Sequence, residues 1–70
     1  MNKLQLAIDD YTRAISYKPD LFGATYQRAQ CYYQMKRYND AAKDIAALQQ
    51  AGVQIDDAFV HAVMKAAGKI

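Results

Sequence analysis

The sequence predicts an all-α fold of four helices, arranged as antiparallel helix-turn-helix repeats, and three observations lead to this prediction. Apolar side chains recur every three or four residues in four separate stretches, which is the period of an amphipathic helix. Only Pro19, Gly23, Gly52 and Gly68 interrupt a chain rich in Ala, Leu, Lys, Gln and Tyr. The two halves of the chain also match when one is shifted along the other by about 34 residues, which is a period of helical repeats.

The first two helices are separated by a proline. The first is predicted over residues 3–17, where one face collects the apolar side chains Leu4, Ala7, Ile8, Tyr11, Ala14 and Ile15. Pro19 closes this helix, because the residue before a proline is pushed towards extended backbone geometry. A second helix is expected from Asp20 or Leu21 to about Met35, with an apolar face made of Ala24, Ala29, Cys31, Tyr32 and Met35.

The second half of the chain holds two further helices. The third ends at Gly52, a natural C-terminal cap, and its apolar residues are Tyr38, Ala41, Ala42, Ile45 and Leu48. Asp56 and Asp57 open the fourth helix, because acidic side chains suit the positive end of the helix dipole. This helix ends before Gly68, and its apolar residues are Ala58, Phe59, Ala62, Val63, Ala66 and Ala67.

The internal match relates the first helix to the third and the second helix to the fourth. Under the shift of about 34 residues, Ala7 falls on Ala41, Asp10 on Asp44, and Ala24 on Ala58. Apolar residues also fall on apolar residues: Tyr11 on Ile45, Ala14 on Leu48, and Leu4 on Tyr38.

The spacing of Ala7, Tyr11, Ala14 and Pro19 resembles the second helix of a tetratricopeptide repeat, which reads A-x3-F-x2-A-x4-P. The segment from Arg28 to Tyr32 is similar to the first helix of that family, with small Ala29 followed by an aromatic residue. Two positions depart from the family pattern, namely Thr25 and Arg28. The run Tyr38-x2-Ala41-x2-Asp44 continues the resemblance, which covers residues 4–48 closely and the chain after residue 53 only weakly.

The resemblance implies a single domain over residues 1–70 with three parts. Residues 1–19 would be the second helix of a truncated repeat, residues 22–55 one full repeat, and residues 56–70 a terminal helix. Repeat arrays usually need about three repeats and end in a polar cap. Here the last helix is apolar on two sides, with Phe59, Ala62 and Val63 on one and Val60, Met64 and Ala67 on the other. We expect further repeats or a second copy of the chain to complete the array.

In this family the first helix of each repeat lines a concave groove that receives a peptide or a partner helix. The resemblance therefore implies a groove face on the second helix made of Gly23, Tyr26, Gln30, Tyr33 and Gln34. Tyr and Gln suit peptide recognition, because they combine rigid apolar area with hydrogen-bond donors and acceptors. Two simpler interpretations remain open: these side chains only solvate the face, or Tyr33 packs on an adjacent helix.

Several other side chains are candidates for a binding or structural role. The Lys, Asn and Arg clamp by which some family members bind a C-terminal carboxylate is absent, since the matching positions hold Tyr26, Gln30, Val60 and Met64. Arg28 is expected to form a structural ion pair with an Asp of a flanking helix, and the two candidates are Asp10 and Asp44. Cys31 is expected to be a small core residue and His61 an exposed or interface residue.

The composition argues against several classes of function but does not by itself identify one. The formal charge of +2 is mild and the basic residues are scattered, so neither nucleic acid nor a membrane is expected as a partner. A small helix-turn-helix DNA binder remains the main rival. With one Cys and one His, no disulfide or Cys/His zinc site is expected, and the lone cysteine fits a reducing compartment such as the cytoplasm.

No glycine-rich phosphate loop, metal-ligand spacing or nucleophile–base arrangement occurs in the sequence. We therefore expect neither an enzyme nor a bound cofactor or metal. The predicted function is a scaffold that binds a protein or peptide partner through Tyr26, Gln30, Tyr33 and Gln34. The alternative is a homo-oligomerisation module that self-associates through its first or last helix.

Overall fold

The computed structural model describes residues 3–70 and contains four helices that pack against one another. They are α1 (Lys3–Tyr17), α2 (Phe22–Gln34), α3 (Tyr38–Gln50) and α4 (Asp57–Ala66). No strand occurs in this part of the chain. The predicted all-α class and the four predicted helices are confirmed, and the helix ends lie close to their expected positions.

Three of the helices end in the same hydrogen-bonded turn. In each, the residue after the C-cap has a positive φ: 63° at Lys36, 78° at Gly52 and 74° at Gly68. The next backbone N–H then donates to a carbonyl five residues earlier, at 2.8 Å after α2, 3.0 Å after α3 and 2.8 Å after α4. This is the Schellman motif, which satisfies carbonyls that the helix itself leaves unpaired. Gly52 therefore has its predicted capping role, and Lys36 occupies the same position without being a glycine.

The helix starts are less uniform. Asp56 caps α4, because its Oδ1 accepts a hydrogen bond of 3.1 Å from the backbone N–H of Ala58. This confirms that the Asp56-Asp57 pair opens the fourth helix. By contrast, Leu21 before α2 and Arg37 before α3 cap without a side-chain hydrogen bond.

The core lies mainly where α3 meets α2 and α4. Its central cluster consists of Ala29, Ala41, Ala42, Ile45 and Val63. Three of the five are alanines, which allow two helix backbones to approach closely and larger side chains to fill the grooves. The molecule is a thin slab of 31 × 30 × 15 Å, so few side chains lie far from solvent.

The predicted apolar faces are buried to different degrees. On α3 every predicted core residue is buried except half-buried Tyr38, whereas on α1 only Ile8 is buried and the other five are half-buried. Two alanines expected on the apolar face of α4 are exposed: Ala58 and Ala66. Thr25 is buried although no apolar pattern marks it, and its hydroxyl donates to the Leu21 carbonyl at 3.4 Å.

The side chain of one arginine on α2 forms hydrogen bonds to residues of both α1 and α3. Arg28 on α2 donates to both carboxylate oxygens of Asp44 on α3, and its Nη1 donates to Thr12 Oγ1 on α1 at 3.1 Å. Of the two expected partners, Asp44 forms the ion pair. Asp10 does not, because the α1 atom within reach of the guanidinium belongs to Thr12.

Candidate functional site

The expected groove face of α2 meets α4 through three aromatic rings. Phe59 of α4 lies between Tyr26 and Tyr33, which are seven residues apart on α2 and therefore two turns apart on one face. The ring centroids are 5.6 Å apart for Tyr26 and Phe59 and 5.7 Å apart for Tyr33 and Phe59, at interplanar angles of 74° and 76°. Such edge-to-face contacts stabilise each pair by about 0.5–1.5 kcal/mol beyond burial of area.

Tyr33 has a second aromatic neighbour. Its ring centroid lies 5.5 Å from that of Tyr38, the first residue of α3. The simpler interpretation of Tyr33, that it packs on an adjacent helix, is therefore correct. Both Tyr26 and Tyr33 remain half-buried, so each ring still offers one part of its surface to solvent.

The two glutamines of this face are placed differently from the tyrosines. Gln30 and Gln34 are exposed, and their side chains make no hydrogen bond within residues 3–70. Gly23 is exposed as well, and a Cβ added there would meet nothing within 4 Å. The face thus combines half-buried aromatic rings with amide groups that have no partner within residues 3–70. We refer to Tyr26, Gln30, Tyr33, Gln34 and Phe59 together as the aromatic face.

The α4 side of this face differs from the one that the resemblance implied. Val60 and Met64 were expected to continue the face from α2. Instead Val60 and Met64 line two separate clefts beside α3. Phe59 packs against the same core cluster as they do, but it is the α4 side chain in ring contact with Tyr26 and Tyr33. The sequence carries one sign of this: Phe59 is an aromatic residue at the position that matches Thr25, a buried residue of α2.

The aromatic face carries no charged side chain, which limits its chemistry. Apolar side chains of a peptide lying across it would contact the aromatic rings. The backbone of the peptide could bond to the glutamine amides, because each Gln offers two donors and an acceptor. The peptide meets no ion to pair with an acidic or basic residue. The groups that this face offers are therefore aromatic rings, hydroxyls and amides.

The remaining candidates are accounted for by local surroundings. Cys31 was expected in the core, but it is only half-buried and lies outside the core cluster; this partial burial raises the pKa of its thiol. His61 is exposed, as expected. Among residues 3–70, no three His, Cys, Asp or Glu side chains lie close enough together to hold a metal ion. None of the four helices combines the length and apolar character that crossing a bilayer requires.

Comparison of the chain with protein-family models, with curated protein sequences and with solved structures gives no match in any of the three.

Proposed function

We propose that this chain is a protein-interaction module of the tetratricopeptide type, which binds an extended peptide or a partner helix on the aromatic face. The observation that carries the proposal is the contrast within that face. Gln30 and Gln34 are exposed and unpaired within residues 3–70, and their spacing places them on the same side of α2 as the tyrosines that contact Phe59. Rigid aromatic side chains lose little conformational entropy on binding, and neighbouring amides supply direction.

The partner is an uncharged or weakly charged segment with at least one apolar side chain. Without an ion pair at the site, long-range attraction contributes little, so affinity should depend weakly on salt. A small face of this kind gives weak binding, with a Kd on the order of tens of micromolar. The repeat resemblance and the four-helix packing support the same function, since a helix face of a packed array stays rigid when it binds.

The experiment is selection of peptides from a random displayed library on the folded chain, followed by calorimetric titration of the selected peptides. Gln30→Ala and Gln34→Ala should each weaken binding about threefold to tenfold, because one peptide hydrogen bond contributes about 0.5–1.5 kcal/mol. Gln50→Ala is the matched control. It removes the same group from an exposed position at the end of α3, and binding should be unchanged.

Two results would contradict the proposal. One is a set of selected peptides whose binding responds equally to Gln30→Ala and Gln50→Ala, which would place the contact elsewhere. The other is tight retention on heparin that falls steeply with salt, which is the behaviour of a nucleic-acid binder. In that case the helix-turn-helix alternative replaces the peptide-binding function.

A further inference from the structure

Four positions on α1 are more exposed than their counterparts on α3. The counterparts are all buried in the structure: Ala41, Asp44, Ile45 and Leu48. Under the shift of about 34 residues, the α1 positions that match them are Ala7, Asp10, Tyr11 and Ala14. Here Asp10 is exposed and the other three are half-buried. We call these four residues the α1 face. It is built like the buried face of α3 but is incompletely covered.

The charge on the α1 face is also without a partner. Asp44 on α3 is paired with Arg28, whereas Asp10 makes no ion pair or hydrogen bond within residues 3–70. Its neighbour Asp9 accepts only a hydrogen bond of 3.0 Å from Gln5. Lys3 and Arg13 are also exposed on α1 and balance the charges of Asp9 and Asp10, so this helix carries no net charge. The α1 face therefore presents small and aromatic apolar groups beside one unpaired carboxylate, that of Asp10.

A cleft of about 580 Å³ between α3 and α4 has the complementary character. Its lining residues are Asn39, Ala42, Lys43, Ala46, Met64 and Lys69. The alanines and Met64 make its floor apolar, while Lys43 and Lys69 are exposed and form no ion pair among residues 3–70. No acidic side chain lines it. We call it the lysine cleft.

We propose that the lysine cleft receives the α1 face of a second copy of this chain, so that copies join head to tail. Ala7, Tyr11 and Ala14 of one copy cover the apolar floor, and Asp10 comes within reach of the lysines at its edge. Apolar contact with charge complementarity is what selects one partner and one orientation at an interface. The internal repeat supports the second copy as occupant, because α1 matches the helix that already packs in this way on α2. This proposal uses a different surface from the aromatic face and does not depend on it.

The two surfaces differ from each other and lie on the same chain, so the contact is heterologous. Such contacts add copies one after another and close only if the rotation between copies allows a ring. In sedimentation equilibrium the wild-type mass should rise above 7.9 kDa as the concentration increases towards about 1 mM, where weak complexes form. It should fall back at about 1 M salt, where the Debye length is only about 3 Å.

Charge reversal tests the direction of the contact. Lys43→Glu places a negative charge in the lysine cleft, and Asp10→Lys places a positive charge on the α1 face. Each variant brings like charges together across the contact and should weaken self-association about tenfold. An equimolar mixture of the two variants should associate again, because the intact α1 face of one then meets the intact cleft of the other. Lys18→Glu and Asp20→Lys, which make the same charge changes in the exposed α1–α2 connection, are the controls and should have no effect.

A second pair of variants tests the cleft by size. Ala46→Arg should block its floor, whereas Ala47→Arg, on the same helix but outside the cleft, should not. Circular dichroism on every variant separates lost contact from lost folding. A wild-type mass of 7.9 kDa at every concentration, with helicity intact, overturns the proposal. So does association that survives the cleft variants, or a mixture that fails to restore it. Gln30→Ala should leave association unchanged, so the outcome is independent of peptide binding.

Discussion

Arg28 and Asp44 form a two-pronged ion pair that joins α2 to α3. Nε of Arg28 lies 2.9 Å from Oδ2 of Asp44, and Nη2 lies 2.6 Å from Oδ1. The side chains are only 17% and 8% exposed, so the pair is largely removed from water. The hydrogen bond to Asp44 raises the pKa of Arg28, more than burial lowers it. Arg28 also donates a hydrogen bond from Nη1 to Thr12 on α1. This one side chain therefore helps to orient both α1 and α3 relative to α2.

We expect Asp44→Asn to lower the free energy of unfolding by about 2–4 kcal/mol, because it leaves the arginine without its counter-charge in a poorly solvated place. The change preserves side-chain shape, so the loss reports on charge and hydrogen bonding. Urea denaturation followed by circular dichroism measures it.

The control is Asp40→Asn in the other ion pair found among residues 3–70. Asp40 pairs with Arg37 at 2.9 Å, but the side chains are 43% and 36% exposed. Exposed pairs contribute about 0–1 kcal/mol, so this variant should unfold close to the wild-type midpoint. Equal losses for the two variants would show that burial does not set the strength of the Arg28–Asp44 pair.

Sequence periodicity identified all four helices, and it identified the core best where a helix is covered on several sides. On α3 the predicted residues other than Tyr38 are buried, because α2 and α4 both pack on that helix. On α1 the same pattern overestimated burial, since an apolar spacing shows which face can be covered and not whether a neighbour covers it.

The candidate site and the contacts around it could be predicted only in part, for three physical reasons. Because α4 is apolar on two sides, its spacing could not decide whether Phe59 or Val60 and Met64 would face α2. The burial of Thr25 was not predicted, because a hydroxyl bonded to its own helix can be buried without a distant partner. Whether Asp10 or Asp44 pairs with Arg28 depends on the distances between helices. The internal sequence match places both carboxylates at equivalent positions and gives no such distance.

Two glycines should respond in opposite directions to alanine. Gly52 has φ 78°, where an alanine is strained, whereas Gly23 lies in the first turn of α2 with nothing within 4 Å of an added Cβ. Gly52→Ala should destabilise the chain by about 1 kcal/mol. Gly23→Ala should stabilise it by about 0.5 kcal/mol, by restricting the unfolded chain and favouring the helix. Thermal unfolding followed by circular dichroism measures both changes in stability. A loss of stability from Gly23→Ala would contradict the helical geometry of that turn.

Lys36 should be replaceable by glycine with a gain in stability. It holds φ 63° in the turn that ends α2, where a side chain costs about 1–2 kcal/mol. The greater freedom of glycine in the unfolded chain offsets part of this, so Lys36→Gly should gain about 0.5–1 kcal/mol. Lys43→Gly is the comparison, because it removes the same side chain from the middle of α3 and should cost about 1 kcal/mol. Destabilisation by Lys36→Gly would mean that the lysine side chain makes a stabilising contact of its own.

Cys31 should react slowly with alkylating reagents. Burial raises the pKa of its thiol, so the folded chain holds less of the reactive thiolate at a given pH than the unfolded chain does. The neutral thiol adds stability below the unfolded pKa of about 8.5, and this contribution is lost as the pH rises through the higher folded value. Iodoacetamide labelling at pH 8 should be several-fold slower in buffer than in concentrated urea. Equal rates in the two solutions would show a fully accessible thiol.

Phe59 should contribute much of the stability with which α4 packs on the rest of the molecule. Its contacts with Tyr26 and Tyr33 are the aromatic link from α4 to α2, and α4 has one fully buried residue, Val63. Phe59→Ala should therefore cost about 2–3 kcal/mol, somewhat less than for a fully buried phenylalanine.

The loss should be local before it is global. Hydrogen exchange of the α4 amides should accelerate most, while those of α2 and α3, which share the larger interface, should keep most of their protection. Phe22→Ala, at a side chain already 38% exposed, is the matched control and should cost less than about 1 kcal/mol. Uniform acceleration in all helices of the Phe59→Ala variant would show that the four helices unfold as one unit, and that the aromatic face cannot loosen without loss of the whole fold.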